Sequence, residues 1–175
     1  MTAKKITTVR RMCDSDLESV LRWRNHPEVR LFMLSQHEMT PAEHRTWFER
    51  LSRNEKYALL LVEEAGHPVG STIFSRIEKN SAAEWSFYSA PGNSPGSGTR
   101  ICTATLDYAF QVLRVRKVIG KVLDFNFASL RLHRKLGFSE KKILNQYVQI
   151  DGSAHSLIYF EVLHADWLTA KNFKR

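Results

Sequence analysis

Between residues 83 and 113 the chain runs from a strand-like segment, Ala83 to Ser89, into an amphipathic helix carrying Ile101, Leu106, Ala109, Phe110 and Leu113. The two are joined by the turn Pro91-Gly92-Asn93-Ser94-Pro95-Gly96-Ser97-Gly98. A strand that turns through glycines directly into a long helix belongs to an α/β layer architecture. It also aims a helix N-terminus, with its unpaired N–H groups and the positive end of its dipole, at whatever lies beside the strand end. Phosphates settle at such places, and glycine lets the backbone approach them. The main-chain amides around Gly96, Ser97, Gly98, Thr99 and Arg100 are therefore the expected anion cradle. The turn has neither the lysine of a Walker A loop nor the spacing of a dinucleotide fingerprint.

The rest of the chain fits the same class. Ile6 to Met12 alternates as a strand, and Asp14-Ser15-Asp16 can cap a helix whose apolar members are Leu17, Val20 and Leu21. Pro27 interrupts that helix, because the residue before a proline is pushed from the α region. Thr40-Pro41-Ala42-Glu43 predicts a capped helix start, with Trp47, Phe48 and Leu51 on its buried face. Tyr57 to Glu63, Val69 to Ile77 and Ala83 to Ser89 predict an antiparallel meander. Val118 to Leu123 returns as a strand, Ser129 to Leu136 reads as a short helix closed by Gly137, and Asn145 to Val162 as a hairpin turning at Asp151-Gly152. Ala165 to Phe173 is expected as a terminal helix. No repeat or linker divides the chain, so residues 1–175 are expected to form a single domain.

Composition narrows the function. There are 26 Lys+Arg against 18 Asp+Glu, a net charge of +8, which favours anionic partners such as phosphorylated small molecules. The basic residues are scattered, from Lys4-Lys5 to Lys141-Lys142, with no stripe that would track nucleic acid and no nucleic-acid-binding motif. No apolar run approaches the ~20 residues of a membrane span, and MTAKKITTVRRM is not a secretory signal, so neither a membrane nor an exported setting is expected. The cysteines, Cys13 and Cys102, are expected to be reduced, and the protein cytoplasmic. No metal site is expected, since His37 and His44 lack a third donor at ligand spacing.

The segment after the fifth predicted strand, Asp124-Phe125-Asn126 and then Ser129 through Phe138, completes a pattern. Together with Asn93-Ser94-Pro95-Gly96-Ser97-Gly98 it resembles the GNAT superfamily of N-acetyltransferases. The family's pyrophosphate turn reads Arg/Gln-x-x-Gly-x-Gly/Ala, here with Asn93 at the first position. Its later signature is an Asn followed by a helix ending in Leu-Gly-Phe, matched by Asn126 through Leu136-Gly137-Phe138. The resemblance implies a mixed, mostly antiparallel seven-stranded sheet with helices on both faces, splayed between strands four and five. Acetyl-coenzyme A would be the co-substrate. Its pantetheine arm would lie along 85–90, including Phe87, Tyr88 and Ser89, with its pyrophosphate on residues 96–100. Asn126 and Ser129 would bind the pantetheine, and Arg131 or Arg134 the adenosine phosphates.

Acetyl transfer to an amine needs a deprotonated amine, a polarised thioester carbonyl and a protonated leaving sulfur. The family commonly places a tyrosine as the acid at the position occupied here by His133. Histidine can donate a proton or merely hydrogen-bond the sulfur, and Tyr88 and Tyr147 are alternative acids. Glu84, at the start of the fourth strand, is the expected base, directly or through a water, with His44 as the second candidate.

The stretch Trp23-Arg24-Asn25-His26-Pro27-Glu28-Val29-Arg30, followed by Met33, is similar to the N-acetyltransferases of pseudaminic acid synthesis. They acetylate UDP-4-amino-4,6-dideoxy-N-acetyl-β-L-altrosamine. Likeness to that group implies Arg24 and Arg30 on the UDP diphosphate. It also implies that Trp23, Phe32 or Trp85 lies on uracil or the 6-methyl group, with Asn25 and His44 nearby. Two other readings stay open: an N-terminal acetyltransferase acting on a ribosomal or other protein, and a non-catalytic acyl-coenzyme A sensor. A polycationic antibiotic is disfavoured by the protein's own charge. Monomer and homodimer are both compatible with the sequence.

Overall fold

A computed structural model describes residues 6–172; Lys4, Lys5 and Phe173 lie outside the described residues. Seven strands form one sheet in the order β1-β2-β3-β4-β5-β7-β6. They are β1 (Thr7–Arg11), β2 (Ala58–Glu64), β3 (His67–Ser75), β4 (Ala82–Ser89), β5 (Lys117–Leu123), β6 (Ser139–Ile150) and β7 (Ser153–Leu163). Every neighbouring pair is antiparallel except β4 and β5, which run parallel. The helices are α1 (Leu17–Asn25), α2 (Pro27–Arg30), α3 (Pro41–Ser52), α4 (Ser97–Gln111), α5 (Phe127–Lys135) and α6 (His164–Asn172). This is the mixed α/β arrangement expected from the sequence.

The two larger of three apolar cores among the described residues sit on opposite faces of the sheet. One is built from Leu60, Phe74, Ala83, Trp85, Val118 and Phe160 under Cys102, Leu106 and Phe110 of α4 and Leu130 of α5. The other joins Leu59 and Leu61 to Leu17, Val20 and Trp23 of α1 and to Phe48 and Leu51 of α3. β2 is buried on both faces, which is why Ala58 to Val62 is continuously apolar rather than alternating. Each fully buried large side chain contributes about 1.5–3 kcal/mol.

The start of α3 follows the sequence chemistry. The Thr40 Oγ1 accepts from the Glu43 N–H at 3.2 Å and the Glu43 carboxylate accepts from the Thr40 N–H at 2.7 Å, a complete capping box. Asp14–Asp16 forms a single 3-10 turn ahead of α1, and its Asp16 carboxylate accepts from the Cys13 N–H at 2.8 Å and from Arg10 at 2.7 Å. Pro27 does end α1, but it also opens the short α2, because proline is pre-set for a first helical turn. The C-terminal hairpin is longer than expected, since β6 begins at Ser139. Ser139 to Ile143 is exposed on both faces and so lacks alternation. Its turn is as predicted, with Asp151 at φ 50° and Gly152 at φ 76°.

Candidate active site

β4 pairs with β5 only from Ala82↔Lys117 to Trp85↔Gly120, while its pairing with β3 continues to Gly70↔Ser89. From Ser86 to Ser89 the β5-side edge of β4 is therefore open. The two strands part there around a cleft of about 450 Å³. It is lined by Ser86 to Asn93, Gly96, Ser97 and Gly98, together with Asn126, Ser129 and Leu132. Glu28, Val29, Phe32, Met33 and Leu34, from α2 and the loop after it, line it too.

The glycine turn is held from behind. Gly96 adopts φ 84° as the N-cap of α4, a left-handed conformation that favours glycine. Asn93 Nδ2 donates to the Val69 carbonyl at 2.5 Å and to Ser89 Oγ at 2.7 Å, tying the turn to β3 and β4. The Arg100 guanidinium turns inward to the buried Glu64 at 2.5 Å and to Ser97 Oγ at 2.9 Å. Its own N–H is spent on the Gly96 carbonyl at 3.2 Å. Arg100 thus braces the turn and does not line the cleft, whereas Gly96, Ser97 and Gly98 do. Thr99 and Arg131 line an adjoining groove with Gly96, Gly98, Leu132 and Lys135, where Lys135 Nζ donates to Thr99 Oγ1 at 3.2 Å. Asn126 caps α5, its Oδ1 accepting from the Ser129 N–H at 3.1 Å, and the residue lines the cleft.

His133 lies at the fork, 2% exposed, against the rings of Trp85, Phe87, Phe138 and Phe160. Both ring nitrogens are engaged. Nδ1–H donates to the Ser129 carbonyl at 2.9 Å, and Nε2 accepts from Trp85 Nε1 at 3.2 Å. These partners define the neutral Nδ1–H tautomer, and burial pushes the imidazole down to about 4.

Glu84 does not line the cleft. Its carboxylate is paired with Lys121 at 2.7 Å and with Arg76 at 3.3 Å, and Lys121 is the member of this chain that reaches the cleft wall. Tyr88 lines the cleft, and burial raises its phenol, so it stays protonated at neutral pH. Tyr147 is exposed on β6 and His44 is buried in α3 against Trp47, its imidazole lowered by burial and then by Arg24. Neither lines the cleft.

The expected acceptor residues divide. Phe32 and Trp85 line the cleft, while Trp23 is part of the second core. Arg24 donates to the carbonyls of His37 at 2.8 Å and Ser35 at 3.2 Å, Asn25 exchanges two hydrogen bonds with the Met39 backbone, and Arg30 pairs with Glu38 at 2.7 Å. All three hold the 31–40 loop in place, and so carry Phe32, Met33 and Leu34 to the cleft. The sequence reading missed Lys121 and Gly120, whose roles depend on neighbours far away in the chain. Among the described residues no helix is long and apolar enough to cross a membrane, and no metal-binding group of His, Cys, Asp and Glu is gathered.

A mixed sheet forked between its parallel strands, with a glycine-turn helix start beside the fork, is the scaffold of an acetyltransferase. The chain belongs to the GNAT acetyltransferases: the acetyltransferase (GNAT) domain family matches residues 7–139. It is 25% identical over 135 residues to the acetyltransferase PseH of Campylobacter jejuni subsp. jejuni serotype O:23/36, covering 77% of this chain and 84% of the relative. It is also 28% identical over 120 residues to an N-acetyltransferase, YokL, of Bacillus subtilis, covering 66% and 67% respectively. In fold it is similar to the spermidine N-acetyltransferase of Vibrio cholerae solved with CoA and spermine. The TM-score is 0.86 at 20% identity, over 93% of this chain and 98% of the other.

Proposed function

We propose that the protein transfers the acetyl group of acetyl-coenzyme A to the 4-amino group of a UDP-linked 4-amino-4,6-dideoxy sugar, by direct attack in a ternary complex. The observation that carries this reading is the acceptor end of the cleft. Val29, Phe32, Met33 and Leu34 suit a deoxy sugar with an apolar methyl corner. Glu28 is the one carboxylate among the described residues lining the cleft, and Lys121 adds an opposing positive charge. A polyamine would need several carboxylates and would meet the Lys121 ammonium, so likeness in fold to a spermidine enzyme does not extend to its substrate. The net charge of +8 favours the approach of an anionic nucleotide sugar. The stretch from Trp23 to Met33 and the likeness to PseH point the same way.

In this reading the open edge of β4, from Ser86 to Ser89, takes the pantetheine arm and offers backbone N–H to the thioester carbonyl. The first turn of α4 takes the pyrophosphate. Glu84 receives the amine proton through a water, since its carboxylate stands behind Lys121. The test is thiol release from acetyl-coenzyme A with three acceptors in parallel: the UDP-4-amino sugar, N-terminal peptides and spermidine. Release with the nucleotide sugar alone is expected. Release only with peptides or only with spermidine would overturn the acceptor.

A further inference from the structure

The last rung of the β4–β5 pairing is Trp85↔Gly120. Directly over that rung, the Trp85 indole of β4 meets the His133 imidazole of α5, and both touch Phe138. His133 also packs on Phe160 of β7, 5.0 Å between ring centroids. β5 passes beneath without a side chain. A Cβ on Gly120 would collide with His133 Nε2 and lie 2.8 Å from Trp85 Nε1. The glycine is therefore the space in which the indole and imidazole meet. The group bridges β4 to β7 over bare backbone at the point where the cleft opens.

We infer that His133 is a positioning residue rather than the acid for the leaving sulfur: with Trp85, over Gly120, it clamps the fork and so fixes the open edge of β4 against which coenzyme A binds. The inference rests on the acetyltransferase reading but not on the identity of the acceptor. Geometry excludes ready proton donation, because Nδ1–H is committed to the Ser129 carbonyl and Nε2 already accepts from the indole. The reaction balances without it. The ammonium first gives one proton to Glu84 through a water; the nitrogen–carbon bond then forms, the carbon–sulfur bond breaks, and the surplus proton on the attacking nitrogen passes through water to the sulfur.

The test uses coenzyme A alone for the binding arm, so it stands whichever amine proves to be the acceptor. His133→Gln places an acceptor oxygen near the position of Nε2 but cannot titrate. It is expected to keep kcat within about 2-fold, with an unchanged pH profile, for any amine that turns over. Trp85→Phe keeps a ring but removes the indole N–H, and His133→Phe leaves that N–H without its acceptor. Each is expected to weaken coenzyme A binding, measured by titration calorimetry, by about 10-fold, a coupling of ~1.4 kcal/mol. If His133→Phe does not fold, Trp85→Phe carries the same arm. The inference is overturned if His133→Gln loses 100-fold or more in kcat with coenzyme A affinity unchanged, the range expected on removing a general acid. It is equally overturned if Trp85→Phe binds coenzyme A as the wild type does.

Discussion

The Trp85 indole donates to the His133 imidazole at 3.2 Å across the one place on β5 where the chain has no side chain, Gly120. Gly120→Ala should therefore be far more damaging than its size suggests. Overpacking of this kind costs typically 1–3 kcal/mol, and the two ring nitrogens at the contact belong to a stiff, buried pair. A fall in the urea midpoint with an unchanged slope is the expected result; a midpoint equal to that of the wild type would show that the fork relaxes freely.

Acid should destabilise the protein before its carboxylates protonate. The folded-state pKa of His133 is lowered to about 4 from an ordinary 6.5, so between these values the unfolded chain binds the extra proton. Stability is then full above pH 6.5 and declines as pH falls towards 4, by on the order of 3 kcal/mol for this group. His44 is shifted in the same direction and adds to the slope. Chemical denaturation at a series of pH values should show the decline in the wild type and a shallower one in His133→Gln.

Arg100 is expected to matter to coenzyme A without touching it. Arg100→Gln removes the guanidinium from the 5%-exposed Glu64 and releases Ser94 and Ser97 at the cradle. Loss of a partner from a buried pair costs about 3–5 kcal/mol, and less here because the arginine is partly in water. Both the melting temperature and the affinity for acetyl-coenzyme A should fall, with the acceptor KM little changed. A variant with normal melting and normal acetyl-coenzyme A KM would show the brace to be dispensable.

Lys121 should govern which charge the acceptor carries. With Lys121→Ala the Glu84 carboxylate keeps the exposed Arg76, and the positive charge is lost from the wall of the cleft. Turnover of cationic amines such as spermidine should rise relative to anionic acceptors, by roughly 5-fold for ~1 kcal/mol of electrostatics at this partly buried position. Competition between one cationic and one anionic amine reads this ratio directly; no change in it would remove Lys121 from the specificity of the site.

The elements of this fold were legible because local chemistry wrote them. Thr40 and Glu43 cap α3, Asp151-Gly152 turn the hairpin, and the glycine turn introduces α4 where its spacing demands. The left-handed Gly96 at the start of α4 was legible for the same reason. The duties of Arg24 and Arg30 were not, since their partners at Ser35, His37 and Glu38 sit in a loop without periodicity. Nor was the state of His133, which is decided by Trp85 on β4, by a missing side chain on β5 and by Phe160 on β7. The span of β6 escaped because an edge strand in water needs no apolar alternation.

The 31–40 loop is held through its main chain by residues that do not line the cleft: Arg24 grips two carbonyls, Asn25 the Met39 backbone, and Gln36 the carbonyls of Leu31 and Met33. None of these bonds uses the side chains of Phe32, Met33 or Leu34. Selection, natural or in the laboratory, is thus free to rewrite those three positions without dismantling their support. Mutational libraries confined to residues 32–34 would explore new amines on an intact catalyst, and lineages sharing this brace would be expected to diverge in substrate faster than in shape.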